Sequence, residues 1–328
     1  MMRLALTRRA GGQLFAAALL AAWFAFDVAA QGYPQRPVRL VVPAPAGGGP
    51  TDTPARLVAD ALGNLIGQRI VVENRPGAGG LVAGEAVARA APDGYTLLFA
   101  NTSVLAINPA LHSKMPYDPA TAFTPIAWFS NSPQLLVANP KLPYRTVREM
   151  VEWAKANPGK LNFASGGPGT LPHLAYELFR TEAGFSAVHV PYAGGGPATV
   201  AVVAGQADVL FDLVRTRVKS GELRGLAITG ERRDPDLPDV PTMAESGYPA
   251  VTSTSWTGIV GPAGVPIEVV TLINAKVNEL VRLPDLVARA KGIGLVPKGG
   301  TPEEFAAWAA SERERWARVV RVSGAKVD

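Results

Sequence analysis

Three glycine-rich segments carry the chemistry this chain can offer. They read Pro43-Ala44-Pro45-Ala46-Gly47-Gly48-Gly49-Pro50-Thr51-Asp52, Ser165-Gly166-Gly167-Pro168-Gly169-Thr170 and Tyr192-Ala193-Gly194-Gly195-Gly196-Pro197. Each falls where a short apolar run hands over to a helical pattern. The first N–H groups of a helix lack partners within it, and the end carries about half a positive charge. Glycine ahead of them lets a ligand reach the backbone. That is the chemistry of anion capture. Several such ends converging on one cleft point to holding a carboxylate rather than transforming it. One loop of this kind would be ordinary punctuation in an α/β chain; the recurrence gives it weight.

Catalytic patterns are missing. The chain has no G-x-S-x-G, no H-E-x-x-H and no Walker A loop, since Gly159-Lys160 lacks an upstream glycine and a following Ser or Thr. His112, His173 and His189 stand apart in sequence without ligand spacing. The expectation is no enzyme, no cofactor and no metal. His173, one turn beyond the second loop, either faces a cleft or is a partly exposed helix residue, the commoner case. Thr51, Asp52 and Thr170 are N-cap types. For Asp52 the cap is favoured, because a carboxylate repels an anion unless it organises the loop or holds a water. Asn101-Thr102-Ser103 closes a strand with short polar side chains, either a third wall of the cleft or a simple turn. Tyr192 brings a hydroxyl to the third loop. Trp256 lies on a return strand and reads as core, as do Trp128, Trp153, Trp308 and Trp316.

The elements that must position these residues follow from periodicity. Val38–Val42 reads as a buried strand, and Leu57, Val58, Ala61, Leu62, Leu65 and Ile66 follow at helical spacing. Ile70–Val72, a small-residue helix to about Ala90 and a strand Tyr95–Ala100 complete β-α-β-α-β, the start of a mostly parallel sheet. After a less regular stretch around residues 105–130 the alternation resumes. Strands are expected at Leu135–Val137, Asn162–Ala164, Val188–Val190, Val209–Phe211 and Leu226–Thr229. Helices are expected at Val147–Ala156, after the second and third loops, and at Ile267–Val281. Thr301-Pro302-Glu303-Glu304 is a capping box that opens a long amphipathic helix.

Composition sets the bounds. The 328 residues are 48% hydrophobic and 18% charged, enough for two α/β domains. A net charge of +5 is a mild excess, with no Lys/Arg cluster interleaved with aromatics as a nucleic-acid surface needs. The absence of cysteine excludes disulfides, thiolate catalysis, a zinc ribbon and a lipoprotein cysteine. Arg3, Arg8 and Arg9, the apolar run Leu14 to Phe26 and Val28-Ala29-Ala30 before Gln31 describe a secretory signal peptide over residues 1–30. The protein is expected to be exported.

These segments, in order, resemble the tripartite tricarboxylate transporter substrate-binding family, the Bug receptors. The resemblance runs from Tyr33-Pro34 to Val327-Asp328. It is carried by Pro45-Ala46-Gly47-Gly48 with Thr51-Asp52, Val72-Glu73-Asn74-Arg75-Pro76-Gly77-Ala78-Gly79-Gly80, Ala91-Pro92-Asp93-Gly94-Tyr95, Ile107-Asn108-Pro109-Ala110-Leu111, His189-Val190-Pro191-Tyr192, Gly205-Gln206-Ala207-Asp208-Val209 and Leu237-Pro238-Asp239-Val240-Pro241-Thr242. It implies an α/β fold: a two-domain periplasmic binding protein of type II, with mixed, mostly parallel sheets, a hinge and an interdomain cleft. Domain 1 would comprise residues 31–130 with 254–328, and domain 2 residues 131–253, with crossings near Ser130 and Ser253. The implied function is capture of a small carboxylate for a membrane permease of one large and one small subunit, by a monomeric periplasmic receptor.

Carried over by position, the first wall is Ala46, Gly48, Thr51 and Asp52, with Asn101 and Thr102. The second is Ser165, Gly167, Gly169, Thr170, Tyr192 and Gly194, with Asp212. Two departures stand out. The first loop is about one residue longer than the family pattern. After Phe211-Asp212, Leu213-Val214-Arg215-Thr216-Arg217 replaces a segment about three residues longer. Either arginine could serve an altered site; surface positions are expected for both. The rival readings are an enzyme acting on carboxylates, a sensory receptor docking on a membrane protein, and a degenerate paralogue without a small ligand.

Overall fold

The computed structural model describes residues 32–47 and 49–323. The expected signal peptide and Gly48 lie outside the described residues, as does the end of the family resemblance, Val327-Asp328. The elements below belong to one compact unit, Arg36–Asp328. No helix among the described residues is long and apolar enough to cross a membrane.

The described strands form two five-stranded sheets. In the first, β1 (Val38–Val42) pairs in parallel with β2 (Ile70–Asn74) on one side and β3 (Thr96–Asn101) on the other. β1 is almost wholly apolar and buried, as a parallel strand covered on both faces requires. The return strand β10 (Thr254–Pro262) lies antiparallel between β3 and β4 (Phe123–Pro133). In the second sheet, β6 (Asn162–Ser165) pairs in parallel with β7 (Val188–Pro191) and β8 (Val209–Asp212). Here β5 (Leu135–Ala138) runs antiparallel between β8 and β9 (Arg224–Ile228). The two sheets thus repeat one plan.

Helix α1 (Gly49–Ile66) follows β1 and covers the β1–β2 side; α2 (Leu81–Ala88) follows β2. After β3 the chain makes a π-helical turn (Ser103–Ile107) and the short α3 (Asn108–Leu111). The stretch read as irregular therefore holds this buried turn and the long β4. Their apolar residues are buried on all sides, so no alternation marks them in sequence. In the second half α4 (Val147–Ala156) starts on Thr146, whose Oγ1 accepts the Glu149 N–H at 3.2 Å. α5 (Leu171–Ala183) and α6 (Gly195–Ala204) follow the second and third glycine loops. α7 (Arg215–Lys219) follows β8, where no helix was expected.

The C-terminal segment supplies α8 (Ile267–Leu280), α9 (Pro284–Gly292) and α10 (Pro302–Ser323). The capping box of α10 closes in both directions: Thr301 Oγ1 accepts from Glu304 N at 3.2 Å, and Thr301 N donates to Glu304 Oε2 at 2.9 Å. The apolar stripe of α10 packs on the π-helical turn, α3, β4 and α5. Buried Glu312 fastens it further, since one carboxylate oxygen accepts the indole N–H groups of Trp256 (3.2 Å) and Trp316 (3.0 Å). Trp256 is fully buried on the return strand.

Candidate functional site

In both sheets the strand order reverses beside the central strand: β1 leads to β2 on one side while β3 lies on the other, and β6 leads to β7 while β8 lies opposite. Ligands of open α/β sheets bind in the crevice outside the carboxyl ends of strands at such reversals. The loops after β1 and β3 flank the first reversal, and those after β6 and β8 the second. These are the places where the expected walls lie.

The loops of the two sheets meet. A side chain added at Gly194 would lie 3.6 Å from Pro45 Cγ, and one at Gly169 would lie 3.2 Å from Leu111 Cδ1. The second and third loops also pack on one another: Tyr192 N donates to Ser165 O at 2.9 Å, and any Cβ at Gly166 would meet Gly195 N at 3.0 Å. Gly167 and Gly194 both hold φ of 116°, a conformation that L side chains rarely adopt.

Several expected residues are engaged by polar groups of the protein itself. Asp52 is not an N-cap, because α1 already runs from Gly49 and places Asp52 within its first turn. Its buried carboxylate accepts the Gly47 N–H at 3.1 Å and the Nδ2 of Asn74 at 2.8 Å, and it pairs with Arg56 at 3.0 Å. Asn74 in turn donates to Ala44 O at 2.9 Å. The acid therefore organises the first loop. Thr51 lies within the same turn, with Oγ1 3.5 Å from Asn101 Nδ2. Asn101 Oδ1 accepts the Val104 N–H at 3.1 Å and so starts the π-helical turn. Thr102 is buried, and its hydroxyl accepts the Trp256 N–H at 3.3 Å, which turns it toward the return strand instead of a cleft. Ala46 is exposed at the loop tip.

On the other side, Ser165 is fully buried, with Oγ 2.6 Å from His189 Nε2. Thr170 holds the N-cap position of α5 without a side-chain cap; its hydroxyl donates to Gly167 O at 2.7 Å and braces the second loop. His173 is buried rather than partly exposed. Its ring stacks on His189 at 4.3 Å between centroids, and Nδ1 accepts the Gly169 N–H at 3.4 Å. Burial lowers the pKa of both imidazoles to about 4, with Arg180 adding for His173 and the neighbouring ring adding for His189. Two neutral rings thus underpin the loop. Among the described residues no three His, Cys, Asp or Glu side chains gather to hold a metal ion.

A cavity of about 330 Å³ opens where the first turns of α1 (Thr53, Pro54) and α6 (Gly196, Thr199) approach the end of β8. Among the described residues of the expected walls, Asp212 alone lines it. Its Oδ2 accepts the Thr199 hydroxyl at 3.0 Å and its Oδ1 the Leu213 N–H at 2.7 Å, while burial raises its pKa. Leu213, Val214, Ile293 and Leu295 supply apolar surface. The last two were not singled out in sequence, because nothing local signals that a segment some eighty residues away returns to this point.

The two arginines after Asp212 separate. Arg215, expected at the surface, is 7% exposed: its guanidinium pairs with buried Asp234 and donates to the carbonyl of Gly294. A guanidinium can be buried only when its donors are matched, and here a carboxylate and a carbonyl match them. Arg217 stands at the cavity and pairs with Glu222 at 2.5 Å.

Known proteins share this arrangement. Residues 54–324 match the family described as "Tripartite tricarboxylate transporter family receptor". The protein BugT of Bordetella pertussis is 38% identical over 310 residues, covering 93% of this chain and 95% of its own. Among solved structures, R. palustris Rpa4515 with adipate is 34% identical with a TM-score of 0.86, covering 90% of this chain and 100% of its own. MatC from Rhodopseudomonas palustris with bound malate is 35% identical with a TM-score of 0.83, covering 88% and 100%. A match this long in sequence, joined to the same two-sheet plan in solved relatives, places the chain in the tripartite tricarboxylate transporter receptor family, a family of solute-binding receptors and not of enzymes.

Proposed function

We propose that this chain is an exported periplasmic receptor. It captures a small carboxylate between two lobes and delivers it to a membrane permease of large and small subunits. The observation that carries the reading is the meeting of the two strand-order reversals, with glycine loops from both sheets in van der Waals reach and a cavity beside them. The adipate and malate held by two relatives support the ligand class.

In this reading residues 31–130 with 254–328 form one lobe and residues 131–253 the other. The crossings lie near Ser130 and Ser253. Beside them Thr229 Oγ1 accepts the Gln134 N–H at 2.8 Å and donates to the Ser253 carbonyl, while Ser253 Oγ donates to Gln134 Oε1 at 2.7 Å. A compact hydrogen-bonded pair of crossings lets the lobes rotate as bodies. The ligand carboxylate sits against the backbone N–H groups of loops one, two and three, which Asp52, Ser165 and Thr170 hold in shape. The receptor works as a monomer and needs no cofactor.

A thermal-shift screen of the purified protein against carboxylates tests this. A ligand at 100 times its Kd adds about 2.7 kcal/mol of stability. A shift with one chemical class supports the receptor. No shift with any acid, in protein shown to be free of co-purified ligand, overturns it in favour of a degenerate or protein-docking paralogue.

A further inference from the structure

Gly294, in the turn after α9, holds φ of 81°, and a Cβ there would stand 2.7 Å from the carbonyl oxygen of Leu213. Glycine suits both the conformation and the close approach. The Gly294 carbonyl accepts from the guanidinium of Arg215, which also pairs with buried Asp234. One turn of helix earlier, Lys291 pairs with Asp236 at 2.8 Å, and Lys219 at the end of α7 reaches the same carboxylate at 3.5 Å. Residues 291–294 belong to one lobe of the proposed receptor and residues 213–236 to the other. These contacts join the lobes without a covalent crossing.

We propose that they form a latch, made when the lobes close and broken when they open, which holds the ligand cavity shut. This rests on the two-lobe receptor reading and deepens it.

The latch is built to part cleanly. On one side, the turn is fixed to its own lobe: Asn131 N donates to Val296 O at 3.0 Å, Lys298 N donates to Phe129 O at 2.9 Å, and α9 packs on α1. A rotation of the other lobe therefore leaves Gly294 and Lys291 behind. On the other side, each group that loses a partner keeps one. Arg215 stays paired with Asp234, and Asp236 stays beside Lys219. Opening thus strands no buried charge, the event that makes breaking an internal ion pair costly.

The latch also completes the cavity. Ile293 and Leu295, the neighbours of Gly294 in the chain, line it from one lobe, and Leu213 and Val214 line it from the other. The two halves of this apolar wall meet only while Gly294 lies against Leu213. Closing the latch and enclosing a ligand are therefore one movement.

The experiment measures the lobe separation directly. The chain has no cysteine, so two introduced ones take spin labels uniquely. Asn64→Cys on α1 and Lys155→Cys on α4 are exposed positions on opposite lobes. Electron spin–spin distance distributions are recorded for the labelled whole protein at low and high salt. Lys291→Ala should lower the closed-to-open ratio about two- to fivefold. Lys291→Arg, which keeps the ion pair, should restore it. High salt should open the parent and leave Lys291→Ala almost unmoved, a response that a merely structural role does not give. Gly294→Ala places a methyl group against the Leu213 carbonyl and should open the lobes further; if that variant does not fold, Lys291 decides. Adipate and malate are then added as probes. Distributions that an acid shifts but that salt and both variants leave unchanged overturn the latch while the receptor reading stands. A single distance that no acid, salt or variant moves overturns the latch and the moving lobes together.

Discussion

Lowering the pH should destabilise this protein through the stacked His173–His189 pair, and the size of the effect can be worked out. The rings lie 4.3 Å apart at an interplanar angle of 19°, under the second glycine loop. Each has a folded pKa of about 4 against 6.5 for the free side chain, with burial the main cause. Arg180 lowers His173 further, the His173 ring lowers His189, and Glu177 pulls His189 the other way. The folded pKa lies below the unfolded one, so between pH 6.5 and 4 the unfolded chain binds more protons. Stability is therefore full above about pH 6.5 and falls as the pH drops through that window. His173 contributes up to about 1.4 kcal/mol per pH unit, and the half-buried His189 contributes less because solvent screens its charge. Asp212 works oppositely, because its raised pKa gives stability at low pH that is lost as the pH rises through the folded value. The net expectation is a loss of about 2–4 kcal/mol between pH 7 and 5. Urea unfolding followed by far-UV circular dichroism at pH 7, 6 and 5 measures it. His189→Gln keeps a polar partner for Ser165 and removes one titrating ring, so about half the slope should survive. A wild-type midpoint that is flat from pH 7 to 5, or a slope unchanged in H189Q, would refute the reasoning.

Other expectations follow from single contacts. Glu312→Ala strands the buried indole N–H groups of Trp256 and Trp316 and should cost about 3 kcal/mol in denaturant unfolding. Arg215→Ala leaves Asp234 buried without its cation and should cost about 3–5 kcal/mol, part of which Asp234→Ala in the same chain restores. Thr170→Ala removes the brace on Gly167 O and should weaken acid binding about three- to tenfold in titration while the circular dichroism spectrum stays native. Tyr192→Phe should weaken binding by a comparable factor; unchanged affinity in both variants would remove these residues from the binding wall.

Much of the fold was legible because it is written locally. β1 is a continuous apolar run between turn signals, and the order β-α-β-α-β follows from period and punctuation. The capping box at Thr301 and Glu304 works as read, since its bonds lie within one turn of helix. Asp52 was misread as a cap because the partners that define its role, Asn74 and the Gly47 N–H, reach it through a strand pairing and a loop return. Arg215 was misplaced for a similar reason. An arginine in a polar stretch reads as exposed, and only the folded chain brings Asp234 and Gly294 to its guanidinium.

The alternation of strands and helices, the glycine loops at three strand ends, the export signature as an expectation and the family resemblance were all readable in the order of residues. All of these depend on neighbours within a few residues or on the order of segments. Folding alone sets which loops face one another, that β10 returns between β3 and β4, that two histidines separated in sequence stack, and which charges the arginines after Asp212 meet. Those facts depend on contacts between residues tens to hundreds of positions apart. Such contacts are set by the packing of whole sheets and helices, and no local pattern of residue types encodes them.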